Sequence, residues 1–110
     1  MTSADINRII KERMNQFGES QVDTFEYGVF RDMPNTRGMF QLKGKWFIYE
    51  IDEKNVKSIT GPFADDDIVY ACAKMLHKAK YFEDHRFGKE AKSTYIHAHY
   101  RSLREAEESL

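Results

Sequence analysis

The alternation of apolar and polar side chains predicts a central β-strand over residues 45–52. Side chains on a strand point alternately to its two faces. One face therefore carries Phe47, Tyr49 and Ile51, and the other carries Trp46, Ile48, Glu50 and Asp52. Both faces are apolar at the start of this segment, and the second face becomes polar towards its end. A strand that is apolar on both faces is typical of the interior of a sheet. We therefore expect this segment to be the strand on which the rest of the fold packs.

Apolar residues spaced three and four apart predict helices on both sides of this strand. The first helix covers residues 4–17, with Ser3 as its N-cap and Gly18 as the residue that closes it. The second helix covers residues 67–82. A third helical pattern begins at Glu90 and carries Tyr95, Ile96, His99, Tyr100 and Leu103. The tail, residues 104–110, favours a helix by propensity but has little to pack against, so we expect it to fray.

Further strands are predicted around the central one, at residues 24–31, 39–42 and 56–60. Turn-forming residues separate these strands at residues 32–38, 43–44 and 53–55, and Gly61-Pro62 ends the series. The sequence therefore predicts an α+β fold. We expect an antiparallel sheet of about four strands, with an N-terminal helix and two C-terminal helices packed mainly on one face.

Length and composition predict one domain spanning residues 1–110 with a well-packed core. The 17 basic and 18 acidic residues leave a formal net charge of −1, so no global field attracts the chain to nucleic acid or to an anionic membrane. The single cysteine, Cys72, excludes an internal disulfide and lies on the apolar stripe of the second helix, which predicts a buried and inert thiol. No signal peptide or run of about eighteen apolar residues is present, so we expect a cytoplasmic protein that does not span a membrane.

Candidate catalytic and metal-binding groups form no recognised pattern, so we expect no enzyme activity, cofactor or metal. His97 and His99 are two residues apart and would point about 200° from each other on a helix. The carboxylates at residues 65–67 suit the first turn of a helix better than a calcium loop, because they satisfy free N–H groups and the helix dipole. An alternative is a small hydrolase that uses Asp84, His85 and His97.

A second alternative is a nucleic-acid-binding accessory protein. The basic residues that would form its binding strip are Lys74, Lys78, Arg86, Lys89 and Lys92, with Tyr81 or Phe87 available to stack on bases. Acidic residues interrupt this strip, and the net charge does not favour it.

Protein binding is the function that the acidic residues favour. The candidate contact residues are Glu50, Asp52, Glu53, Asp65 and Asp66, with Tyr49 as an exposed aromatic side chain. If these carboxylates converge at one end of the sheet, that end suits a cationic partner. The alternative is that they are only helix-capping and turn residues. The sequence does not specify an oligomeric state.

Residues 40–80 resemble the small immunity proteins of bacterial polymorphic toxin systems. The residues that carry the resemblance are the strand Trp46-Phe47-Ile48-Tyr49-Glu50-Ile51-Asp52, the short strand ending Gly61-Pro62-Phe63, and the acidic start of the second helix. The resemblance implies a cytoplasmic protein that binds a cognate toxin, often a nuclease, and neutralises it by covering its active site. A phage-type inhibitor of a host defence enzyme is an alternative that no residue separates from this function.

Overall fold

A computed structural model describes residues 2–15, 25–76 and 98–110, and these residues form an α+β fold, as predicted. The helices are α1 (Ser3–Asn15), α2 (Asp65–Leu76) and α3 (Leu103–Glu108). The strands are β1 (Glu26–Tyr27), β2 (Thr36–Leu42), β3 (Lys45–Ile51), β4 (Lys57–Phe63) and β5 (Ala98–Tyr100).

The described strands form one five-stranded sheet in which β3 is the middle strand, as the sequence predicts. The pairs β2–β3, β3–β4 and β4–β5 are antiparallel, and β1 pairs parallel with β2. The expectation of about four antiparallel strands is therefore only roughly met. The tight turn between β2 and β3 consists of Lys43 and Gly44, which both have positive φ, the conformation that this kind of hairpin requires.

The strand predicted over residues 24–31 is far shorter, since β1 contains two residues. Gly28 follows it with φ of +88°, which turns the backbone away from the sheet. Beyond this point the carbonyl of Val29 and the N–H of Arg31 bond to the side chain of Tyr49. Thr36 begins β2 earlier than predicted, because it pairs with the end of β3 at Ile51.

The two faces of β3 enter two separate cores, which confirms the predicted alternation. Trp46 and Ile48 face α1 and α2, where the buried cluster contains Ile6, Ile10, Phe25, Met39, Phe63, Ile68, Ala71 and Cys72. The opposite face carries Phe40, Phe47, Tyr49, Ile51 and Ile59, which pack against Leu103 and Ala106 of α3. The expectation that the helices lie mainly on one face is only roughly met, because α1 and α2 share one face and α3, formed by the tail, covers the other. A sheet that is apolar on both faces needs cover on both.

Strand β4 runs through Gly61-Pro62 instead of ending before it. The register against β3 shifts between Trp46 and Ile48, where β4 contains one extra residue. This bulge brings Phe63 onto the same face as Trp46, because each added residue reverses the alternation of side chains. A Cβ at Gly61 would lie 2.5 Å from Cδ1 of Phe47, so the close approach of that ring explains the glycine.

Helix boundaries differ from the predictions in several places. Thr2, not Ser3, caps α1, since its Oγ1 accepts from the N–H of Asp5 at 3.2 Å. Residues 16–18 and 77–82, where the first two helices were predicted to end, lie outside the described residues. The prediction of a third helix is wrong over residues 98–100, which form β5. The tail forms α3, which begins at the N-cap Ser102 and is fixed by the buried Ala106.

Candidate protein-binding surface

The turn between β3 and β4 is organised by Asp52. Its Oδ1 accepts hydrogen bonds from the backbone N–H groups of Lys54 and Val56, both at 2.9 Å. Its carbonyl accepts from Asn35 at 3.2 Å and from Asn55, which has positive φ, at 3.1 Å. An aspartate that bonds to backbone two residues ahead is a common turn device. Asp52 is therefore a turn residue, although it was also a candidate contact residue.

An open groove of about 640 Å³ lies beside this turn. Its lining residues are Asn35, Thr36, Arg37, Glu50, Ile51, Asp52, Glu53 and Lys54. Three of the predicted contact residues therefore share one concave surface, which we call the acidic groove. Three carboxylates and two cationic side chains line it, leaving a local charge of −1. The side chains of Glu50 and Glu53 are exposed, so they are available to a partner.

The guanidinium of Arg37 is engaged within the fold. Its Nη1 donates to the carbonyl of Met75, close to the last described residue of α2, at 3.1 Å. Arg37 also pairs across the sheet with Glu50. This contact joins the acidic groove to α2 and holds one of its two cations against the protein.

The two acidic segments do not converge, so that prediction is wrong. Strand β4 is antiparallel to β3, and it returns the chain to the start of β3 before α2 begins. Asp65 lies there, where its Oδ1 accepts a hydrogen bond from Nε1 of Trp46 at 2.7 Å. Glu50 is four positions after Trp46, which places the two ends about 13 Å apart along the strand. Asp66 follows Asp65 in α2 and belongs to the same distant end.

The hydrogen bond from Trp46 is the main reason why the pKa of Asp65 lies below its ordinary value. The carboxylate of Asp65 therefore connects α2 to the indole of a core residue. This is a structural role, so the position of Asp65 needs no binding function to explain it.

The expectation that Tyr49 offers an exposed aromatic contact is also wrong, because its side chain is 0% exposed. Its ring packs against Phe30 and Phe40, with ring centroids 4.7 and 5.6 Å away. Its hydroxyl accepts from the N–H of Arg31 at 3.1 Å and donates to the carbonyl of Val29 at 2.9 Å. Burial raises the pKa of Tyr49, which keeps this hydroxyl protonated as a donor.

Residues 28–35 form an irregular segment that is held at many points, and we call it the anchored loop. Oγ1 of Thr36 lies 3.0 and 2.7 Å from the carbonyl oxygens of Arg31 and Met33. Arg31 forms an ion pair with Glu26 at 3.1 Å, and Asp32 forms one with Lys57 at 3.0 Å. Together with the two bonds to Tyr49, these contacts fix the backbone of a segment that has no ladder of its own.

Apolar side chains project from this fixed backbone into solvent. Val29 and Met33 on the anchored loop are 52% and 51% exposed, and Val56 on the neighbouring turn is 47% exposed. The ion pair between Asp32 and Lys57 joins the loop to the start of β4. Its two residues are the chain neighbours of Met33 and Val56. None of these three apolar residues is among the contact residues predicted from the sequence. The available signal was Met33, an apolar side chain between two turn-forming residues, Asp32 and Pro34.

The residues of the two alternative functions are largely outside the described part of the chain. This applies to Asp84, His85 and His97 of the hydrolase, and to Lys78, Tyr81, Arg86, Phe87, Lys89 and Lys92 of the basic strip. Lys74 belongs to α2, but its side chain is likewise not described. Within residues 2–15, 25–76 and 98–110, no group of three or more histidine, cysteine, aspartate or glutamate side chains is placed to hold a metal ion.

Cys72 is buried in the core between the sheet and α2, as its position on the apolar stripe predicts. Burial raises the pKa of this thiol far above its ordinary value, because the low-polarity core disfavours the thiolate. The thiol is therefore an unreactive core group.

Comparison of the chain with protein-family models, curated proteins and solved structures gave no significant match. Among the described helices, none has the length and apolar character needed to cross a membrane.

Proposed function

We propose that this chain is a non-catalytic protein-binding inhibitor of the immunity type, which neutralises a cognate toxin or nuclease by covering its active site. The observation that carries the proposal is the arrangement at one end of the sheet. There, the exposed apolar residues Met33 and Val56 lie on backbone held by hydrogen bonds, at the same end of the sheet as the exposed carboxylates of Glu50 and Glu53. An apolar centre with a charged rim is the usual composition of a protein interface.

The exposed apolar side chains favour binding energetically. Full burial of a side chain such as Met or Val is worth about 1.5–3 kcal/mol relative to full exposure. Met33 and Val56 are about half exposed, so roughly half of that value is still to be gained by each on contact with a partner. Because their backbone is already held, this gain is offset by the ordering of the two side chains but by little further loss of backbone freedom.

The carboxylates favour a cationic partner. A nuclease active site attracts phosphates and therefore carries positive charge, which an acidic rim complements. Glu50 and Glu53 are exposed at the acidic groove, whereas Asp52 is held by the turn and Arg37 by α2. We therefore assign steering of the partner to Glu50 and Glu53. The resemblance of residues 40–80 to immunity proteins agrees with this class of function.

The test is charge neutralisation at the acidic groove. We expect E50Q/E53Q to lower the rate of association with the cognate protein about tenfold at low ionic strength, and less at high salt, where screening removes the attraction. E12Q/E107Q changes the net charge equally on the exposed surfaces of α1 and α3, and it should leave the rate nearly unchanged. The partner to test is the product of the adjacent gene, and the measurement is stopped-flow or surface-based kinetics across a salt series.

Equal association rates for E50Q/E53Q and E12Q/E107Q at every salt concentration would remove the acidic groove from the interface. Absence of any one-to-one complex with the candidate toxin would argue against immunity to that toxin. Separate urea titrations of both double variants show whether a change in rate reflects a loss of folding.

A further inference from the structure

We infer that the hydroxyl of Tyr49 is a positioning group for the anchored loop, which sets the arrangement of Val29 and Met33 for contact with the partner. This inference rests on the proposed function, and it identifies the anchored loop as the apolar part of the interface. Tyr49 itself is buried and touches no partner.

The hydroxyl of Tyr49 bonds to two backbone groups of the anchored loop. It accepts from the N–H of Arg31 at 3.1 Å and donates to the carbonyl of Val29 at 2.9 Å. These two residues lie on either side of Phe30, so one atom fixes the path of the backbone through three consecutive positions. Without a strand partner, those backbone groups need another bonding group, and the hydroxyl supplies it.

The core holds the ring of Tyr49 in place. Tyr49 belongs to the middle strand of the sheet, opposite Ile59 of β4. Its ring packs against Phe40 and against Phe30, the loop residue that points inward. The hydroxyl is therefore held in place by the core, and it transmits that position to the loop. Phe30 packs inward while Val29 and Met33, on either side of it, stay about half exposed.

Thr36 supports the same segment from the far side. Its Oγ1 lies 3.0 and 2.7 Å from the carbonyl oxygens of Arg31 and Met33. Unlike Tyr49, Thr36 is only partly buried, at the start of β2. Thr36→Val removes the hydroxyl with almost no change in shape, so it tests the loop without disturbing the core.

The first measurement is hydrogen exchange in the free protein, which needs no partner. We expect Tyr49→Phe to raise the exchange rate of the Arg31 amide at least tenfold, because this amide loses its acceptor, while the amide of Ile59 stays protected. Unchanged exchange at Arg31 overturns the inference. Thr36→Val supplies a second route if Tyr49→Phe folds poorly, and it should also raise exchange within the loop.

The second measurement is a double-mutant cycle on the affinity for the cognate protein. Met33→Ser should weaken binding about tenfold in the wild-type background and about twofold in the Tyr49→Phe background, because the loop is no longer positioned there. Ile59→Val is the control, since it weakens the same core without touching the loop, and there the cost of Met33→Ser should remain about tenfold. An equal cost of Met33→Ser in all three backgrounds overturns the inference.

The outcomes separate this inference from the proposed function. A non-additive cycle combined with no effect of E50Q/E53Q rejects the acidic groove and keeps the positioning role of Tyr49. An additive cycle combined with a clear effect of E50Q/E53Q rejects the positioning role and keeps the proposed function.

Discussion

The close contact between β3 and β4 at Gly61 leaves no space for a larger side chain. An added Cβ at this position would lie 2.5 Å from Cδ1 of Phe47 and 2.9 Å from the carbonyl oxygen of Trp46. Carbon atoms in contact are normally about 3.5–4.0 Å apart, so the ring would have to retreat by about 1 Å. We therefore expect Gly61→Ala to destabilise the fold although it adds only one methyl group.

The packing around the ring of Phe47 determines how much free energy Gly61→Ala costs. Phe47 is fully buried, and it packs between Phe40 and Tyr100 at centroid distances of 5.9 and 6.4 Å. The ring therefore has no free space to enter, and the carbonyl of Trp46 belongs to a paired strand that cannot rotate away. Overpacking in such a site costs about 1–3 kcal/mol, and we expect the upper half of this range. That is a substantial part of the roughly 5–15 kcal/mol by which a domain of this size is stable.

The assay is equilibrium unfolding in urea of four proteins, namely wild type, Gly61→Ala, Phe47→Val and the double variant. Phe47→Val removes Cδ1, the ring atom closest to the added Cβ, so Gly61→Ala should cost about 1–2 kcal/mol less in that background. Equal costs of Gly61→Ala in both backgrounds would refute the assignment of the clash to Phe47. A cost below about 0.5 kcal/mol in the wild-type background would refute the close packing itself.

Two further predictions concern the carboxylates that the fold uses. Asp52→Ala should lower the free energy of unfolding by about 1–2 kcal/mol, because two backbone N–H groups lose their acceptor, and Asp52→Asn should cost less because it keeps an oxygen there. Equal effects of Ala and Asn in urea titrations would contradict this role. The pKa of Asp65 is lowered chiefly by the bond from Trp46, so its stabilising contribution is complete above about pH 4 and is lost as the pH falls through the lowered pKa. The free energy of unfolding of wild type should therefore fall more steeply than that of Asp65→Asn below about pH 4. Parallel curves of this free energy against pH would count against a stabilising role of the hydrogen bond between Trp46 and Asp65.

The central strand was predictable because its signal is local. The alternation in β3 places each side chain on one of two faces, and the structure has the same assignment. The turn at Lys43-Gly44 was equally clear from its residue types. The start of α3 had a local signal as well, because Ser102 and Glu105 have the spacing of a capping box. The longer apolar pattern from Glu90 to Leu103 instead predicts a helix that runs through Ser102.

The candidate site was less predictable because it depends on contacts between distant residues. Asp65 follows Glu53 closely in the chain, yet the antiparallel return of β4 carries it to the other end of β3. The burial of Tyr49 was indicated by its alternation with Phe47, but the bonds from its hydroxyl to the anchored loop depend on tertiary structure. The same contacts explain why the segment after Gly28 is not a strand, despite its alternating residues.

The two-sided burial of β3 also determines its register. A slip of one residue would exchange its faces, placing Trp46 and Ile48 in the cluster that now holds Phe47 and Tyr49. Both cores would be mismatched at once, so each face independently specifies the correct pairing. A strand with one solvent-exposed face has only one such constraint. This double specification disfavours shifted pairings, and it keeps Glu50 at a single position relative to the turn that follows β3.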